Sequence, residues 1–241
     1  MILLLKILIA HFIGDFVAQP KTWVEDKEKN KGKSIKLYLH VLVHIALMIL
    51  ITREIKLIPL ILIIGIIHYI VDLCKVSIQN QQNKITAFII DQFVHITTIV
   101  LVLHYFEPFI KKTVLESQIE SFIVLAFTLI LLTSVLSKTI KVLISKWTPL
   151  TTDKDDDSLK DAGKYIGMLE RLFIFGFVVT SNIQAIGFLL AAKSVFRFGD
   201  LKESKDRKLT EYILIGTLIS FGLSILVSYL YLYLMQQVAD T

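Results

Sequence analysis

LIPLILIIGIIHYIVDLCKVSI, residues Leu57 to Ile78, is the stretch on which the fold turns. Its 22 residues, wound as α-helix at about 1.5 Å per residue, rise about 33 Å, enough to cross the ~30 Å hydrocarbon core of a bilayer. His68 and Asp72 sit four residues apart in its second half, which places them on one helix face. An uncompensated imidazole or carboxylate in hydrocarbon costs several kcal/mol, so that face must look into a bundle, pair with a neighbour or hold an ion. One segment therefore predicts both a membrane-spanning helix and a polar interior.

Apolar runs of similar length recur on both sides. Ile2–Ala18 precedes a polar loop from Pro20 to Ser34, and Ile35–Ile51 is joined to Leu57 by the tight Arg53-Glu54-Ile55-Lys56 link. Ile85–Phe106 and Ile119–Ile144 follow, then a hydrophilic segment from Lys146 to Lys164. Ile2–Ala18 lacks the basic stretch of a secretory leader and carries His11 and Asp15, so it reads as a retained span. Tyr165–Phe198 is too long for a single crossing and is interrupted by Thr180, Ser181, Asn182 and Gln184. A hairpin turning near Asn182 keeps Arg197, Lys202, Lys205, Arg207 and Lys208 on the side of the other lysine-rich loops, as the positive-inside bias demands. Tyr212–Met235 is the last span. The expectation is an all-α polytopic membrane protein of about seven to eight membrane segments, organised as a four-span unit (1–106), a fifth span with its loop (107–164) and a C-terminal helical unit (165–241).

Composition agrees. Of 241 residues 54% are hydrophobic and 20% charged, with a mean hydropathy of +0.67, which excludes an ordinary soluble domain. The net charge of +5 resides in loops, as expected at a membrane face, and forms no nucleic-acid patch. Cys74 is the single cysteine, so no intrachain disulfide forms. Asp153–Asp157 resembles a calcium loop, but Ser158 stands where glycine is needed and Lys164 where the closing glutamate belongs, leaving a solvated loop.

Each of the first four spans carries one i,i+4 pair of potential ligands: His11/Asp15, His40/His44, His68/Asp72 and Asp91/His95. Counted from the Lys21–Lys36 side, the nearer member of each pair lies about 9 Å deep and the farther about 15 Å. All eight groups therefore fall in one layer. Three carboxylates with five imidazoles suit one or two divalent ions, Zn²⁺ first and Mn²⁺ or Fe²⁺ as alternatives. Asp15 and Asp91 are the candidates for proton acceptor, and Lys75, three residues after Asp72, is placed to meet an anionic substrate. Gln19, Trp23 and Gln92 fall near the same mouth.

HFIGDFVAQ from His11, the H-x-x-x-H of His40, the H-x-x-x-D of His68, the DQ-x-x-H of Asp91 and GKYIGMLER from Gly163 together resemble a bacterial membrane family of unknown function. The H-x-x-x-D helices are also similar, over the first half only, to inner-membrane metal-dependent hydrolases. That second resemblance implies His11, Asp15, His68 and Asp72 as metal ligands, and a bacterial cytoplasmic membrane as the location. In the C-terminal unit, Glu170, Arg171, Lys193, Arg197 and Glu211 have two readings: one or two ion pairs that fix helix packing, with Lys193 and Arg197 reaching to headgroups, or a clamp in which Arg171, Lys193 and Arg197 hold a lipid or nucleotide phosphate. The reaction expected is hydrolysis of an amphiphilic, phosphorylated lipid. The alternatives are a metal or proton transporter, disfavoured by almost wholly apolar outer halves of the first four spans, and a di-iron oxidative enzyme.

Overall fold

The computed structural model describes residues 1–106, 117–148, 162–197 and 204–240, without the side chains of 196–197 and 204–207. The Asp153–Asp157 segment and the Arg197 side chain lie outside the described residues. The described residues are almost all helical, with no strand among them, as an all-α polytopic membrane protein requires. Two compact units emerge, Met1–Ile130 and Leu131–Thr241.

In the first unit α1 is Ile2–Phe16, α2 Lys21–Asn30, α3 Ile35–Thr52, α4 Ile58–Ile78, α5 Lys84–Phe106 and α6 Ser117–Ile130. Helix α1 packs against α3 and α5, α3 against α4, and α4 against α5, so the four helices close into a ring. Helix α6 lies on the outer side of α1, where Phe127 stacks on Phe12 at 6.1 Å. The ring is inverted relative to a water-soluble bundle. Leu42 and Leu50 of α3, Ile66 and Ile70 of α4, and Phe93 and Leu101 of α5 face outward, while five histidines, Asp72 and Asp91 are at most 3% exposed. That inversion is what hydrocarbon solvent selects, since only the interior can satisfy polar groups.

Local signals explain the boundaries. Arg53 takes a left-handed conformation (φ 56°) and its N–H closes α3 on Ile49 O at 2.9 Å. Pro59 occupies the first turn of α4, where no N–H is required. Pro20 caps α2, which leaves α1 at an angle of 80°. The segment expected as a loop, Pro20–Ser34, thus contains a helix. Its sequence, KTWVEDKEKN, has no apolar stripe; long-range bonds hold it, Lys27 Nζ to Asp72 (2.7 Å) and Gln79 Nε2 to Glu28 (2.9 Å), together with local ones, Asn30 Nδ2 donating to Asp26 within the helix (2.7 Å) and Ser34 Oγ to Asp26 just beyond its end.

By length and composition five helices can cross a membrane: Ile35–Thr52, Ile55–Ile78, Lys84–Phe106, Ser117–Trp147 and Lys208–Ala239; the bent α1–α2 pair would make six. Helix α1 alone has 15 residues, or about 22 Å, short of a full crossing.

The second unit begins with a π-helical turn, Leu131–Val135, continuing into α7 (Leu136–Leu143), followed by α8 (Ala162–Val179), α9 (Gln184–Arg197) and α10 (Ser204–Ala239). Tyr165–Phe198 is indeed broken near Asn182. Ser181 is left-handed (φ 60°), Asn182 N–H reaches Phe177 O at 2.7 Å and Ser181 N–H reaches Val178 O at 3.1 Å, a Schellman ending built without glycine. Helix α9 then runs back along α8, bringing Lys193 to Glu170 and Ile186 to Ile174 and Val178. Both pack on α10 through Phe221 and Ile225.

A candidate metal centre inside the four-helix ring

The i,i+4 pairs of the four ring helices converge in two tiers. The tier nearer α2 holds Asp15, His40, Asp72 and Asp91; the deeper one holds His11, His44, His68 and His95. Imidazole rings pack in mutual contact, with centroids 4.0 Å apart for His44 and His68, 4.2 Å for His68 and His95, and 5.2 Å for His11 and His95. Asp15 is central: its Oδ1 lies 3.1 Å from Nε2 of both His40 and His44 and 4.0 Å from that of His68, and its Oδ2 lies 3.7 Å from His11 Nε2. His95 Nε2 faces Asp91 Oδ1 at 3.3 Å and Asp72 Oδ1 at 3.5 Å.

Donor spacing tests whether these residues suit an ion. Two ligands each about 2.1 Å from one tetrahedral ion stand about 3.4 Å apart, and the separations just given cluster around that value. Three sets bring one ligand atom per residue within 4.8 Å of each other: Asp15, His40, His44 and His68; His68, Asp72 and His95; Asp15, Asp91 and His95. These buried groups can hold a metal ion. Nε2 of His11 and Nδ1 of His44 are buried without a hydrogen-bond partner, and Nε2 of His95 and Oδ1 of Asp91, 3.3 Å apart, meet as an ion pair without hydrogen-bond geometry. Such atoms are costly in a low dielectric unless something binds them.

Two residues absent from the ligand pattern complete the centre. Lys27, on α2, is 6% exposed and places Nζ 2.7 Å from Asp72 Oδ2. Nothing in its lysine-rich, loop-like sequence singles it out. Gly14, on α1 between His11 and Asp15, lies against the His44 ring; a Cβ there would overlap the imidazole. Gln92 Nε2 donates to Asp15 Oδ2 (2.9 Å) and Asp91 Oδ2 (3.1 Å), and Lys75 Nζ sits 2.7 Å from Asp91 Oδ2.

The expected phosphate clamp of the second unit is arranged otherwise. Lys193 Nζ donates to Glu170 Oε2 at 2.8 Å. Arg171, 4% exposed, donates from Nε to Leu132 O in the π-turn, from a terminal nitrogen to Ser137 Oγ, and from the other to Ser220 Oγ at 3.4 Å. Glu170 and Arg171 are neighbours on α8 and point about 100° apart, so each draws a different partner, and Arg171 and Lys193 do not converge.

Fold and site define a class: a polytopic helical membrane protein with a buried His/Asp cluster inside a four-helix ring. The family described as Protein of unknown function (DUF3307) matches residues 3–123, which contain all four ligand-bearing helices, and the chain belongs to that family. No curated protein and no solved structure matches it.

Proposed function

We propose that the first unit is a membrane-embedded, metal-dependent hydrolase acting on an amphiphilic substrate with a phosphorylated headgroup, in a bacterial cytoplasmic membrane. The observation that carries the reading is the set of buried donor atoms without hydrogen-bond partners at ligand-to-ligand spacing. Zinc is the first choice, manganese or iron the alternatives, with one or two ions per chain. A bound ion of this kind lowers the pKa of a coordinated water toward ~7 and polarises the scissile group.

The chain's own residues do the rest. Asp91 Oδ1, buried and without a hydrogen-bond partner, or Asp15, central among the imidazoles, accepts the proton of the attacking water. Gln92, bonded to both carboxylates, fixes their orientation. The apolar outer faces of α3–α5 keep bulk water from the deeper tier. The tier of Asp15, His40, Asp72 and Asp91 lies toward α2, about 9 Å from the near ends of α3, α4 and α5 and at the very end of α1, which is headgroup depth and favours a substrate that stays in the bilayer.

Metal content tests this. Detergent-purified protein, checked for monodispersity, should carry about one or two zinc, manganese or iron ions per chain by plasma mass spectrometry, lost in Asp72→Ala and His95→Ala. The metal-loaded protein should release phosphate from phosphatidate. Metal-free protein even after reconstitution would overturn the reading, and iron with oxygen consumption would replace hydrolysis by oxidative chemistry.

A further inference from the structure

Lys27 and Lys75 approach the cluster from different helices and end alike. Each ammonium takes the Oδ2 atom of one carboxylate, Asp72 or Asp91, at 2.7 Å. The Oδ1 atoms of those same carboxylates face His95 Nε2 at 3.5 and 3.3 Å. Each lysine therefore holds the outer oxygen of a carboxylate whose inner oxygen belongs to the donor cluster. With neutral imidazoles, two ammoniums against three carboxylates leave the centre at −1. One divalent ion would bring it to +1 and two to +3, beside lysines fixed within a few ångströms. Like charges so close in a low dielectric repel strongly, so a loaded centre favours binding an anion. Lysine suits that demand, being a point charge on a long, flexible stem.

We propose, resting on the metal reading above, that Lys27 and Lys75 are the anion subsite of this centre: they hold Asp72 and Asp91 until a divalent ion takes those carboxylates, and then bind the substrate's phosphate group. The ligand chemistry is a phosphate dianion, from a lipid headgroup or free in solution. Lys75, with 24% of its side chain exposed, stands at the mouth; Lys27, carried on a helix held by polar tertiary bonds, reaches in from above the carboxylates.

Three measurements on protein in phosphatidylcholine nanodiscs decide it. In calorimetric titrations with ZnCl₂, Lys27→Met and Lys75→Met should bind zinc at least as tightly as wild type, since a positive charge beside the incoming ion is removed. With zinc loaded, both should bind inorganic phosphate at least ten-fold more weakly than wild type, while Lys29→Met, exposed on the same helix, changes neither. In wild type, which raises no folding question, labelling of Lys27 by an amine-reactive reagent should rise several-fold when ZnCl₂ is added. Phosphatidate doped into the discs displaces inorganic phosphate if the natural ligand is a headgroup, and fails to if it is free phosphate. Zinc binding weakened by Lys27→Met, phosphate binding unchanged in both variants, or Lys27 labelling indifferent to zinc would overturn the inference while leaving the metal centre standing. Wild type that binds no zinc, manganese or iron would overturn both.

Discussion

In the first unit the buried polar atoms point at one another and leave hydrogen-bonding capacity over. In the second unit, among the described residues, each buried polar side-chain atom has a partner. Arg171 is taken up by a backbone carbonyl and two serines, Glu170 by Lys193, and Ser224 and Ser228 by carbonyls one turn back in α10. Burial of charge is therefore no sign of a site by itself. Convergence with unmet valence marks a place where a ligand belongs; full satisfaction marks a device that fixes helix packing.

The contrast breaks most visibly at Asp15, which touches four imidazoles. Asp15→Ala should lower metal affinity by about 100-fold or more, since loss even of groups that only support ligands costs 10–100-fold. Retained metal at wild-type stoichiometry would make the cluster a polar network of the kind found in the second unit. Arg171→Ala should do the reverse. It strips three acceptors of their donor in a buried setting and should cost about 2–3 kcal/mol, read as a melting midpoint lower by several degrees in nanodiscs, with metal content unchanged. Arg171→Lys should recover little, because one ammonium cannot reproduce the guanidinium fork.

Gly14→Ala sharpens the first half of the contrast with a single methyl group. The added Cβ overlaps His44, so the ring must turn, and metal affinity should fall about ten-fold with little change in melting. Unchanged affinity would remove His44 from the ligand set.

The legible parts of the molecule were those governed by helical periodicity. Four i,i+4 pairs at matched depth put eight groups in one layer because depth and face are both set by residue spacing, and the polar Thr180–Gln184 interruption marked the break between α8 and α9. Tertiary contacts hid the rest. The α2 sequence reads as a solvated loop because its helix is stabilised from outside, through Asp72, Gln79 and Ser34, and so the deepest lysine of the centre went unmarked. Leu131–Val135 has nothing in LLTSV to announce a π-turn, and Ser181 occupies a left-handed position where glycine is the usual signal. Sequence spacing leaves the C-terminal charges open between ion pairs and a phosphate clamp, because it does not say which side chain faces which; α9 running back along α8 is what brings Lys193 to Glu170.

That last pair carries the smallest effect and the cleanest distinction. Lys193 and Glu170 are 27% and 11% exposed at their side chains, a partly solvated ion pair that contributes about 0–1 kcal/mol and less as salt rises. Glu170→Gln keeps the shape and a hydrogen-bond acceptor for Lys193 while removing the charge. A structural pair predicts a melting midpoint within about a degree or two of wild type, a difference that shrinks further in high salt, and unaltered phosphate binding. If Lys193 instead serves a phosphate, freeing it from Glu170 should tighten phosphate binding in low salt. The calorimetric comparison of Glu170→Gln with wild type, run at two salt concentrations, separates a packing role from a recognition role in the unit where, among the described residues, every buried polar side-chain atom has a protein partner.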